Sequence, residues 1–231
     1  MYKRLVVFGD SNTFGHGLDD CWNPHDNGPG PRPSRHAWPS VLAKRLGIDC
    51  VNRSKPGASG KEMVYHFMEY SEALRLGDLV IFLWPHFSRS CLMHPTKQYV
   101  HAAWIPTQIR ATINDKTNKA YYKQVYNEYD AVFNLLMYST LVKNICDNKN
   151  IMNIQFSMYP KSELVDLTPA IDPGIKRSLQ NILAQPDCQR LIRMDNQTAN
   201  DGCHPSKGWH EIIARKLQSI IESHIKRTAA N

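Results

Sequence analysis

The sequence predicts an α/β fold: a three-layer α/β/α sandwich around a mostly parallel, five-stranded sheet. Three observations carry this. Short apolar runs alternate with amphipathic ones from end to end, the order that gives parallel strands joined by helical crossovers. The clearest runs, "RLVVF" at 4–8 and "DLVIFLW" at 78–84, are unbroken stretches of aliphatic and aromatic residues, as strands covered on both faces require. No Ser/Gly-rich or charged linker divides the 231 residues. The chain is therefore read as one domain, 1–231, with a loop-rich insertion at about 88–120.

Taken in order, "RLVVF" is the first strand, and it stops at Gly9-Asp10. Residues 19–36 concentrate Pro, Gly, Asn and Asp and are expected to form a long irregular loop. "AWPSVLAKRLG" predicts a helix closed by Gly47, and "IDCVN" a short strand. From Ala58 to Gly77, Met63, Phe67, Met68 and Leu74 fall near helical spacing. "DLVIFLW" is ended by Pro85. Residues 88–120 lack periodicity and read as loops and short helical turns. A single long helix is predicted over 121–148, a fourth strand at "IMNIQFSM", a fifth at "RLIRM" (190–194) and a final helix over 205–227.

Composition narrows the function classes. Lys and Arg outnumber Asp and Glu by 28 to 21, a formal charge of +7, but they are scattered, which argues against a nucleic-acid surface. The six cysteines lie far apart, without the compact spacing of a disulfide framework or zinc site, and read as reduced thiols. Only four apolar residues follow the basic start, too few for a signal-peptide core, and no stretch approaches a membrane span. The expectation is a cytoplasmic protein, or one released without a cleaved signal, with no cofactor and no resident metal.

The segment "LVVFGDSNTFGHG" (5–17) is where chemistry concentrates. In a parallel sheet, ligands sit at the carboxyl ends of the strands, which is where Ser11 falls. A serine hydroxyl is a poor nucleophile without a base. Far along the chain, "NDGCHPSKGWH" supplies Asp201 and His204, a spacing that lets a carboxylate orient the imidazole while its other nitrogen faces a serine. Each part also has a plainer reading, Asp201 as a turn residue and Ser206 as a helix cap. What favours the chemical reading is that both motifs sit at opposite ends of one α/β chain.

On these residues the chain resembles the SGNH, or GDSL, family of serine hydrolases, which implies a flavodoxin-like sheet and ester chemistry. "FGDSNTFG" (8–15) matches the first family block, with Ser11 as nucleophile, and "DGCHPSKGWH" (201–210) the last, with Asp201 and His204. "NRSKPGASG" (52–60) is similar to the second, which makes Asn52 the block's asparagine and Gly57 a backbone oxyanion donor beside the Ser11 amide. The third block departs from the pattern: where the family has G-x-N-D, this chain has "FLWPHFSRS" (82–90). Trp84 then takes the place of the glycine and His86 that of the oxyanion-binding asparagine. Three readings stay open: a substitute donor (His86, or Ser88 or Arg89), a slower esterase with two backbone donors, or a protein that only binds. Losing one donor costs about 2.7–4 kcal/mol of transition-state stabilisation.

Asp10, Asn12, Arg89 and Trp84 are the remaining candidates for contact with substrate. Asp10 and Asn12 also read as braces of the turn, and Arg89 as a carboxylate anchor or a salt bridge. Trp38, Trp84 and Trp104 read as a sugar-stacking wall or as core, with core favoured for at least two of the three. His16 and His25 lie in the loop beside Ser11. The expected partner is a small-molecule or glycan ester, with carbohydrate O-deacetylation as the preferred reaction. Acyl transfer by the same residues and a non-catalytic carbohydrate-binding module are the alternatives.

Overall fold

Alternation along the strands decides the architecture. In β1 (Arg4–Phe8), Val6 and Phe8 face one side while Leu5 and Val7 face the other, and in β5 (Asp78–Trp84) Val80, Phe82 and Trp84 oppose Leu79, Ile81 and Leu83. All of these are fully buried, so both faces of the sheet must be covered. The computed structural model describes residues 2–26, 28–95, 104–110, 114–158, 195 and 197–229.

Strands β4 (Asp49–Asn52), β1, β5 and β8 (Met152–Ser157) form a four-stranded parallel sheet in that order. Helices α2 (Trp38–Leu46) and α6 (Lys207–Ala229) cover one face, burying Trp38, Leu42, Trp209, Ile213 and Leu217 against it. Helices α3 (Gly60–Ser71) and α5 (Glu128–Asn148) cover the other with Met63, Phe67, Val132 and Leu136. The result is the three-layer arrangement expected, with the predicted fifth strand at 190–194 outside the described residues. The chain runs outward from β1 to β4, then crosses back to β5 and β8. This reversal puts a crevice at the carboxyl ends of β1 and β5.

Two segments differ from expectation. Residues 90–109 contain a β-hairpin, β6 (Ser90–Pro95) and β7 (Trp104–Ile109), paired antiparallel from Ser90↔Ile109 to Pro95↔Trp104. Pro95 and Pro106 conceal it from a pattern search, and a two-stranded ribbon tolerates them because each strand is an edge. The predicted helix at 121–148 is two helices, α4 (Lys116–Gln124) and α5, because Asn127 interrupts it. Its side chain accepts from the Tyr129 and Asp130 amides and so caps a new helix start. The loop after Ser11 carries a two-residue ladder, β2 (Trp22–Asn23) with β3 (Gly28–Pro29).

Candidate active site

The turn after β1 is built around Asp10. It is extended and 1% exposed, and its carboxylate caps the short helix α1 (Ser11–Phe14) by accepting from the Asn12 amide at 3.0 Å. The Asn12 side chain donates to the same carboxylate, and Arg89 Nη1 closes an ion pair with it at 2.6 Å. Gly9 is needed for space: a Cβ there would lie 2.0 Å from Thr13 Oγ1. At the first position of α1, Ser11 is thus held by a rigid turn, its backbone N–H free of any acceptor among the described residues. Asn52 ties the end of β4 to this turn by donating to the Thr13 carbonyl.

The loop from Thr198 to Pro205 is pinched by a bridge between those two residues and by the Ala199 N–H donating to the His204 carbonyl at 2.8 Å. Asp201 Oδ1 accepts from the Cys203 and His204 amides, both at 3.0 Å, which locks the carboxylate. Two contacts dock the loop onto the segment after α1: the Asn200 N–H reaches the Gly17 carbonyl, and its side chain reaches Asp19.

These two pieces meet. His204 Nε2 lies 2.8 Å from Ser11 Oγ, and His204 Nδ1 lies 2.5 Å from Asp201 Oδ2. Burial pushes the Asp201 carboxyl up, but the N–H groups of His204 and Cys203 and the imidazole more than offset it and hold the group below its ordinary value. An ionised Asp201 fixes the Nδ1–H tautomer, leaving Nε2 to accept the Ser11 proton. Chemically the arrangement can draw the proton from Ser11 and so generate a serine nucleophile.

His16 stacks near His204, ring centroids 4.5 Å apart, with its Nε2 3.9 Å from Asp201 Oδ2. His16, Asp201 and His204 are close enough together for a metal ion. The ligand chemistry fits poorly: a 2.5 Å Nδ1···Oδ2 separation is that of a hydrogen bond, and both His204 nitrogens are already engaged. His25 is exposed, with its amide turned to Asn23.

Gly57 occupies the third corner of a type II turn over 55–58, closed by the Ala58 N–H to Lys55 carbonyl bond at 3.0 Å. Its φ of +77° is the conformation that position requires. Pro56 supplies the fixed φ before it. No acceptor among the described residues takes the Gly57 N–H. The neighbouring Lys55 N–H bonds to the Gly9 carbonyl, which anchors this turn beside the one that carries Ser11.

The candidates drawn from the third block fare differently. Trp84 is fully buried in the core, its Nε1 donating to Gln155, so it is a packing residue and makes no surface for substrate. Trp38 is equally buried. Two of the three tryptophans are thus core, as the sequence favours, and the Trp104 side chain lies outside the described residues. Asp10, Asn12 and Arg89 brace this turn together, the Asn12 amide and Nδ2 and the Arg89 Nη1 all donating to the Asp10 carboxylate. His86 is exposed, with Nδ1 2.7 Å from Ser88 Oγ. Arg89 also edges a cavity of about 40 Å³ that Lys61, Phe87, Tyr121 and Tyr138 help to line.

Two residues near the site were not visible in the sequence. Gln108 and Arg110, at the end of β7, lie against Gly57: a Cβ built there would come 2.4 Å from Gln108 Oε1 and 2.7 Å from Arg110 Nη1. Their signal in the sequence is the run "WIPTQIR" (104–110), whose proline masks it as a strand.

No family model matches the chain and no curated protein matches it. Solved structures do. A psychrotrophic esterase from Pseudoalteromonas sp. is similar over 97% of this chain and 99% of its own, at 11% identity and a TM-score of 0.55. A member of the lipolytic protein G-D-S-L family from Veillonella parvula is similar over 94% and 97%, at 13% identity and 0.51. An acetyl xylan esterase from the rumen bacterium Butyrivibrio proteoclasticus is similar over 98% of this chain but 65% of its own, at 14% identity and 0.53. The chain therefore has the fold of the SGNH, or GDSL, hydrolases.

Proposed function

We propose that this protein is a serine esterase of small acyl esters, with carbohydrate O-acetyl groups as its preferred substrates, and that residues 1–231 act as one domain. The observation that carries the proposal is the imidazole of His204 held between Ser11 Oγ and Asp201 Oδ2. Ser11 Oγ attacks the ester carbonyl carbon as its proton passes to His204 Nε2, and the carbonyl electron pair moves onto oxygen. Collapse re-forms the carbonyl and expels the alkoxide, which takes the proton from His204. Water then attacks the acyl-enzyme, gives a proton to His204, and the acid leaves as Ser11 is reprotonated. The developing oxyanion has the free N–H groups of Ser11 and Gly57 as donors.

The substrate class is supported by the likeness of fold to the acetyl xylan esterase. The test is release of acetate from aryl acetates and from acetylated xylo-oligosaccharides, with Ser11→Ala as control. Acetate release that disappears in the variant supports the reading. Glycan binding without turnover would replace it with the binding-module reading.

A further inference from the structure

Two hydrogen bonds made in the plane of a ring, one at each edge, fix where the ring sits but not its tilt about the line that joins them. The His204 imidazole is held in this way, Nε2 to Ser11 Oγ at 2.8 Å and Nδ1 to Asp201 Oδ2 at 2.5 Å. Tilt swings the Nδ1–H and the Nε2 lone pair out of line with their partners, and hydrogen bonds weaken steeply as they bend. A contact against the face of the ring removes this freedom.

His16 makes that contact. Its ring centroid lies 4.5 Å from that of His204, with the two planes 32° apart. The same ring approaches the carboxylate: His16 Nε2 is 3.9 Å from Asp201 Oδ2, longer than a hydrogen bond, so it covers this oxygen without taking the place of His204. The Asp201 side chain is only 3% exposed, and loss of the ring would open a nearly sealed carboxylate to water.

The placement of His16 is built into both loops. Its backbone N–H donates to the Ser11 carbonyl at 3.1 Å, alongside the Gly15 N–H at 3.0 Å, at the left-handed close of α1. The next residue, Gly17, accepts the Asn200 N–H on its carbonyl at 2.9 Å, and a Cβ built there would come 2.7 Å from Asp201 Cγ. The chain around His16 is thus fastened to the peptide of the nucleophile and to the loop that carries Asp201 and His204.

We propose that His16 is a positioning residue of the esterase suggested above, its ring backing the His204 imidazole and screening Asp201 Oδ2, so that the base stays in line with Ser11 and its bond to the carboxylate stays dry. The inference rests on the hydrolase reading. Excluding water strengthens the attraction between Asp201 and the imidazolium that forms on His204 as Ser11 attacks, because the local dielectric is low. That charge develops in the transition state and is absent from the bound substrate, so the effect falls on kcat more than on KM. The role asks for a flat ring at position 16 and not for an imidazole.

The experiment compares wild type, His16→Ala, His16→Phe and Ser11→Ala on an aryl acetate, with thermal midpoints. It also follows the proton NMR resonance of His204 Nδ1–H, which a short bond to a carboxylate moves far downfield and which exchange with water erases. His16→Ala is expected to lower kcat by about 10²-fold at nearly constant KM and to broaden or lose the resonance. His16→Phe restores the ring and should recover most of the rate and the resonance together, which decides the matter even if His16→Ala does not fold. The His16 role is overturned, and the esterase left standing, if kcat is unchanged in His16→Ala, if the loss is confined to KM, or if a folded His16→Phe loses the rate as well. A resonance that survives in His16→Ala, or is absent from active wild type, has the same meaning. Turnover that survives Ser11→Ala, or no turnover in wild type, overturns both.

Discussion

His204 and Ser11 stand 193 residues apart in the chain and 2.8 Å apart in the fold, Nε2 to Oγ. The contact exists because two short loops are each rigid by themselves and then dock. Asp10 stiffens one through the cap of α1, and Asp201 stiffens the other through the amides of Cys203 and His204.

Replacing Asp201 by Asn separates folding from chemistry. The amide oxygen can still accept from the Cys203 and His204 N–H groups, so the loop is expected to keep its shape. The NH₂ group then faces His204 Nδ1 and forces the proton onto Nε2, where it can no longer accept from Ser11. The expected result is a thermal midpoint near that of wild type and a kcat lower by about 10⁴-fold. A rate within tenfold of wild type would mean that Asp201 does not set the tautomer.

Arg89 neutralises an almost completely buried carboxylate, and its removal leaves Asp10 with only neutral donors. Arg89→Ala is expected to cost about 2–3 kcal/mol, read from the shift of the urea midpoint. Arg89→Lys should recover part of this, since a single ammonium can still reach one oxygen. Stability unaffected by either change would reduce the pair to a surface contact.

Gly57→Ala sets a Cβ against Gln108 and Arg110 at a φ of +77°. Strain at such a position costs about 1–3 kcal/mol, and the variant is expected to unfold at correspondingly lower urea. Because the strain falls on the turn that presents the Gly57 N–H, activity measured well below the transition should fall by tenfold or more. Full activity in the folded variant would show that this amide is not used.

His210 gives the fold an acid limit. Its Nδ1 accepts the Trp38 N–H at the start of α2, and burial, with a smaller effect from His204, pushes the imidazole down to about 3. Between about pH 6.5 and 3 the unfolded chain takes up a proton here that the folded one refuses, so stability falls as pH drops through that window. His210→Gln retains an acceptor without the titration. Its thermal midpoint is expected to change less between pH 7 and 4 than that of wild type, and an identical pH profile would argue against the assignment.

The parts of the fold legible in the sequence are those fixed by local pattern. β1 and β5 are continuous apolar runs, Gly47 marks the end of α2, and Ser59 caps α3 by accepting from the Glu62 amide. The serine and the His204 loop were visible for the same reason, since each is a short motif beside a strong element. What pattern could not reveal depends on distant contacts. Arg89 looks like an anchor for substrate until its partner is seen to be Asp10, 79 residues away. Trp84 reads from the sequence as a substrate contact, part of a wall or core, and alternation along β5 turns it into the core. The hairpin that brings Gln108 and Arg110 to Gly57 is written in residues whose prolines argue against strands, and only its antiparallel pairing makes them tolerable.

The central claim is that Ser11 is the nucleophile, and covalent labelling tests it most directly. The purified protein would be treated with a fluorophosphonate at neutral pH and its adduct mapped by peptide mass spectrometry, beside Ser11→Ala and His204→Ala. The account predicts a single adduct on Ser11, none in Ser11→Ala, and much slower labelling in His204→Ala, where no base draws off the proton. An unlabelled Ser11, or labelling at the same rate without His204, would contradict it.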